Sequence, residues 1–226
     1  YGDYLLFCSD EERRILINCG GIANFTYLPG SEAPDLSFAT DTGPGNTLLD
    51  QATQKFFPGH EFDKDAEVAR VGQVNQKLLE ALKADSFFTA EPPKTTGPEQ
   101  FNLQYVTQAQ KASNTADLNP NSLLTTLTRF SAETLAEAVQ KALSDATGDC
   151  GIYLSGGGMH NPLFTEYLTE LLPPWKNIDV LGIPGDAKEA VFIAVLANEC
   201  VAGSGIDFGN RAGIPSVSMG KLSIPG

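Results

Sequence analysis

The stretch Gly151-Ile-Tyr-Leu-Ser-Gly-Gly-Gly-Met-His-Asn-Pro162 decides the fold. Gly151–Leu154 is a short strand-like run and Ser155–Asn161 is a glycine-rich loop. Pro162–Leu172 then carries helical spacing. Beyond it, Ile178–Leu181 reads as a second strand and Asp186–Val201 as a second helix. Strand, helix, strand, helix in that order predicts a parallel α/β arrangement. Gly156, Gly157 and Gly158 raise the chain entropy lost on folding and suit a place where a flat ligand lies on bare backbone. The loop is not the GxGxxG pattern of dinucleotide folds. His160, a loop histidine, reads first as a surface residue and only second as a catalytic one.

Working upstream, Pro120–Ser144 reads as a long helix capped by Asn119, with Leu123, Leu127, Phe130, Leu135, Val139 and Leu143 on its core face. Residues 58–118 carry no long strand; Val74–Leu82 reads as a short helix and Glu91–Pro98 as a stiff loop. The first 40 residues read as β structure, with strands at Tyr4–Cys8, Arg14–Cys19, Ile22–Leu28 and Leu36–Thr40. Gly20-Gly21 joins two of them as a tight hairpin. It reads as a type I′ turn, or as a place where backbone N–H groups approach a phosphate. Asp41-Thr-Gly-Pro-Gly-Asn46 reads as a loop that places a carboxylate between a strand and the helix Thr47–Phe57. There Asp41 is a candidate base, or the cap of its turn. A lone Asp-Thr-Gly does not support an aspartic protease, which needs two carboxylates. Asp186 and Glu189 fit a capping box, and a Glu at such a helix start could equally meet sugar hydroxyls. The tail from Gly209 is turn-rich and reads as an irregular cap.

Composition bounds the rest. With glycine counted in place of tyrosine, the apolar share of these 226 residues is about 49%, inside the globular range. The net charge of −13 with no basic block argues against nucleic acid and anionic membranes as partners. The longest apolar run, Ala190–Ala197, falls far short of the ~20 residues that span a bilayer. Cys8, Cys19, Cys150 and Cys200 are scattered, with no zinc-like spacing, and read as buried thiols in a reducing compartment. The chain opens with Tyr rather than Met and reads as a fragment.

Taken in order, several motifs resemble one family, the anhydro-N-acetylmuramic acid kinases. They are Ile17-Asn-Cys-Gly-Gly-Ile-Ala-Asn-Phe-Thr26, Asp41-Thr-Gly-Pro-Gly-Asn46, Asp63-Lys-Asp65, Pro92-Pro-Lys-Thr-Thr-Gly97, Gly156-Gly-Gly-Met-His-Asn-Pro162 and Asp186-Ala-Lys-Glu-Ala190. The resemblance implies the sugar kinase, heat-shock chaperone and actin superfamily, with two ribonuclease-H-like lobes and a mixed β-sheet flanked by helices in each. It implies ATP and Mg2+ and an amino-sugar substrate whose 1,6-anhydro ring is opened by water and phosphorylated on O6. The setting it implies is cell-wall recycling in the cytoplasm, and it leaves a homodimer open.

By the same resemblance, Asp41 is the general base and Glu189, Gly43 and Asn46 face the substrate. Gly20, Gly21, Gly156, Gly157, Gly158 and Asn161 face the nucleotide, and no residue is assigned to a metal. The family's Gly-Thr-Ser phosphate loop is missing, so residues 1–226 read as the C-terminal lobe alone. Smaller departures are Thr40, where an apolar residue usually precedes the Asp, and Cys19 in the hairpin. The competing readings are a chaperone-like nucleotide-binding protein and a non-catalytic domain of the same superfamily.

Overall fold

The computed structural model describes residues 1–30, 33–145 and 149–203. Its centre is one five-stranded mixed sheet. β1 (Arg13–Cys19) and β2 (Ile22–Leu28) form the expected antiparallel hairpin, and β3 (Phe38–Pro44) pairs antiparallel with β2. β4 (Cys150–Ser155) runs parallel to β1, and the two-residue β5 (Lys176–Asn177) runs parallel to β4. The order β3-β2-β1-β4-β5 is that of a ribonuclease-H-like lobe, as expected.

Strand alternation gives the sheet two different faces. On one, Ile15, Ile17, Phe25, Ile152 and Leu154 pack against α5 (Pro120–Asp145) and α6 (Pro162–Leu171), burying Leu135, Val139, Phe164 and Leu168. Asn119 caps α5 as expected, its Oδ1 accepting from Ser122 N–H at 2.9 Å. The first half of α5 also holds a second, helical core with α2 (Thr47–Phe56), α3 (Gln76–Lys83) and α4 (Leu103–Ala112). On the other face, Leu16, Leu28 and Tyr153 meet Phe7 of α1 (Gly2–Phe7) and Ile178. α7 (Lys188–Ala202) packs beside α1: the Phe192 ring lies where a side chain on Gly2 would project, and Lys188 pairs with Asp3 at 3.4 Å. Among the described residues no helix is long and apolar enough to cross a membrane.

Several local expectations are corrected. Tyr4–Cys8 is not a strand; it falls in α1 and the residue that ends it. A five-residue apolar run fits either period, and Phe7 is buried only when the segment coils over the sheet. Arg14 Nη1 then donates to the Phe7 carbonyl at the helix end, at 2.8 Å. The Leu36–Thr40 strand starts later and runs through Asp41-Thr-Gly-Pro44, which is not a loop. Leu36 closes a 3-10 turn, and an edge strand tolerates Pro44 at its end. Ile178–Leu181 is a 3-10 turn, because Asn177 Oδ1 takes Asp179 N–H at 2.9 Å and Gly182 stops it at φ 92°. Of the four thiols only Cys19 is buried, which pushes its pKa up to about 12; Cys8, Cys150 and Cys200 are half-buried. The tail from Gly209 lies outside the described residues.

Candidate functional site

Three glycine-rich turns meet at one end of the sheet. The first is the β1–β2 hairpin tip. Neither Gly20 nor Gly21 has a positive φ, so the turn is not type I′. Gly21 and Gly45 are glycine for close approach instead, whereas a Cβ on Gly20 would meet only ordinary contacts at 3.6 Å. The Gly20 carbonyl accepts Asn46 N–H at 2.9 Å, and the Gly21 carbonyl accepts Gly45 N–H at 2.9 Å and Thr47 N–H at 3.1 Å. A Cβ on Gly45 would collide with the Gly20 carbonyl, and one on Gly21 would lie 2.8 Å from Thr47 Oγ1.

The second turn is Gly45-Asn46, between β3 and α2, and the third follows β4. Gly156 has φ 91°, and a Cβ there would sit 2.8 Å from both Asn18 Oδ1 and the Cys19 carbonyl. A Cβ on Gly158 would strike the buried Cys19 sulfur. The Cys19 position, read as a minor departure in the hairpin, is thus the surface on which the 156–158 loop rests.

Asp41 belongs to the same end. It pairs with Asn24, Asn24 with Asn18, and Asn18 with Ser155. Directly opposite residues share a face, so Asp41, Asn24 and Asn18 form one polar row. The row lies on the α1 side, since Ala23 and Phe25 point to α5. A register shift at Ala23/Asn24 absorbs one extra residue of β3 and fixes this alignment. Sequence reasoning did not single out Asn18 and Asn24; their polarity in otherwise apolar strands was the available signal. It also missed Thr95 and Thr96, which donate to Asp41 Oδ2 from Oγ1 at 2.9 Å and from N–H at 2.8 Å.

A hollow of about 480 Å3 opens beside these turns, lined among others by Asn46, Asp50, Asp65, Gly157, His160 and Asn161. Burial pushes the Asp50 carboxyl up to about 6. Asn46 starts α2 without a side-chain cap bond. Asn161 caps α6, its Oδ1 accepting Phe164 N–H at 3.0 Å. Asp63 is spent on structure: its two oxygens accept Val68 and Ala69 N–H at 2.9 Å each. Gly43, with φ 137°, is buried against the Phe88 ring. His160 is exposed.

Glu189 is exposed in the first turn of α7. Its capping box does not form. The cap position is Ala187, with no side-chain cap bond, and Asp186 lies in the preceding 3-10 turn. Asp186 instead lines a notch with Gly156 and His160.

The family model described as anhydro-N-acetylmuramic acid kinase matches residues 2–216. This chain belongs to that family. It is 46% identical over 227 residues to an anhydro-N-acetylmuramic acid kinase of Pseudoalteromonas translucida, covering 99% of this chain and 56% of the relative. To one of Pseudoalteromonas atlantica it is 47% identical, covering 100% of this chain and 57% of the relative. To one of Caldanaerobacter subterraneus it is 34% identical, over 99% of this chain and 58% of the relative. The chain therefore spans a little over half the length of these kinases.

Proposed function

We propose that this chain is the lobe of an ATP-dependent anhydro-N-acetylmuramic acid kinase that carries the general base and half of the nucleotide cleft. What supports this reading is the meeting of three glycine turns beside a polar row that ends in Asp41. In this reading the Gly20 and Gly21 N–H groups at the hairpin tip face the phosphates. The hollow at Asn46, Gly157 and Asn161 takes the nucleoside. Asn46 and Glu189 face the sugar, and Gly43 shapes β3 beneath it. Glu189 is available for this because its cap role is not formed.

Asp41 removes a proton from a water as the water oxygen bonds to the anomeric carbon. The bond from that carbon to O6 breaks, O6 bonds to the γ-phosphorus, and the bond from that phosphorus to the bridging oxygen breaks to release ADP. Among the described residues there is no group of three His, Cys, Asp or Glu able to hold a metal ion. Mg2+ held with nucleotide phosphates needs only one or two carboxylates rather than such a cage; no residue is assigned to it here and no step is routed through it. The pathway role, cell-wall recycling in the cytoplasm, rests on the resemblance.

The test is Asp41→Asn in the complete reading frame containing this chain. Loss of a positioned base lowers turnover on anhydro-N-acetylmuramate by about 10²–10⁴-fold. ATP affinity and melting temperature stay near wild type, because the proposed phosphate contacts are backbone groups. Turnover close to wild type overturns the assignment.

A further inference from the structure

We propose that the segment Lys94–Thr96 positions Asp41 for catalysis, with the Thr95 hydroxyl as the side chain that sets its orientation; the proposal rests on Asp41 being the base. Thr95 and Thr96 lie 54 and 55 residues from Asp41 in sequence, yet their segment lies along the outer edge of β3. Asp41 N–H donates to the Lys94 carbonyl at 2.9 Å, and Lys94 N–H donates to Thr40 Oγ1 at 3.0 Å. These bonds anchor the segment to the strand. The Asp41 side chain is then held by Thr95 Oγ1 and Thr96 N–H, both on Oδ2. A carboxylate offers two oxygens. Among the described residues both donors fall on one, so the carboxylate plane is fixed and Oδ1 is left to meet a water.

The segment is itself braced from behind. Lys94 Nζ donates to the Phe87 carbonyl at 2.6 Å and lies 4.4 Å from the centre of the Phe87 ring. Thr96 Oγ1 donates to Gln100 Oε1 at 2.9 Å. Thr95 is exposed and carries no part of the core. A hydrogen bond at such a surface adds little to folding, but a donor aimed at a charged acceptor is strong and directional. The Thr40 hydroxyl, which accepts Lys94 N–H, is part of the same anchor.

The experiment compares Thr95→Val, Thr95→Ser and Asp41→Asn in the complete reading frame. Thr95→Val keeps the shape and removes the hydroxyl. It lowers kcat by about 10-fold, the scale of a lost hydrogen bond to a charged group, with KM for ATP unchanged. Thr95→Ser restores kcat to within about threefold of wild type. Adding Thr95→Val to Asp41→Asn causes no further loss, because the two act as one unit. The proposal is overturned if Thr95→Val turns over at the wild-type rate, if Thr95→Ser is as slow as Thr95→Val, or if the losses add in the double variant. A normal rate in Asp41→Asn removes the base and this proposal together. An inactive Asp41→Asn beside a normal Thr95→Val removes this proposal alone.

Discussion

The two faces of the sheet are built from alternate residues of the same strands, yet they do different work. Toward α5 and α6 the strands offer Ile15, Ile17, Phe25, Ile152 and Leu154, apolar along their length and sealed. Toward α1 they begin apolar, with Leu16, Leu28 and Tyr153, and end polar, with Asn18, Asn24 and Asp41. The first face supplies stability. The second divides its length between an anchor and the candidate site. The helices repeat the contrast. α5 buries Leu124, Leu127, Phe130 and Leu135 completely, whereas α7, also rich in apolar residues, buries none, and its Ile193 is 64% exposed. An apolar run becomes core only where a second surface meets it.

Four measurements break or sharpen this contrast. Leu135→Ala on the sealed face costs about 2–5 kcal/mol of unfolding free energy in denaturant titration; a cost below about 1 kcal/mol shows that this face is not the main core. Gly158→Ala, at the glycine junction, costs about 1–3 kcal/mol by overpacking, since Cys19 has nowhere to move. Adding Cys19→Ala recovers part of that loss if the contact is the cause, and none if backbone strain is.

The third concerns Asp50, whose folded-state pKa of about 6 lies above the ordinary 3.8. A raised carboxyl pKa means that folding takes up a proton. Stability is then highest below about pH 4, declines as pH rises to about 6 and is level above. Asp50→Asn therefore gains stability of about 1 kcal/mol at neutral pH after solvent screening, and nothing below pH 4. A melting-temperature difference independent of pH refutes this. The smallest effect is Ile193→Ala on α7, within about 0.5 kcal/mol by thermal melting. A loss comparable to that of Leu135→Ala would mean that α7 has a partner surface in solution.

Legibility followed the range of the interactions. Long periodic segments such as α5 and the β1–β2 hairpin could be read, because their patterns repeat over enough residues to exclude the other period. Short runs such as Tyr4–Cys8 and Ile178–Leu181 could not. Four or five apolar residues are buried equally well by a coil of helix or a strand, and the choice belongs to whatever lies beneath them. Within the site, Asp41 and the glycines were visible as residue types out of place in their surroundings. Thr95 and Thr96 were visible only as part of the Pro92–Gly97 motif, and their tie to Asp41 was not, because a threonine in a loop carries no signal until its partner is known.

The sequence by itself determined that the chain alternates into an α/β lobe, that α5 is a core helix and that three glycine turns follow strands. These depend on local periodicity and backbone freedom. Only the tertiary structure decided that Asp41 lies in a strand rather than a loop and that it shares a row with Asn24 and Asn18. The same holds for the oxygen held from across the β3 edge, and for the glycines at 21 and 45, which serve close contact rather than turn type. Each of those depends on register and on segments tens of residues apart. A one-residue slip in register would put Asp41 on the apolar face, and the local sequence does not record which register the folded sheet selects.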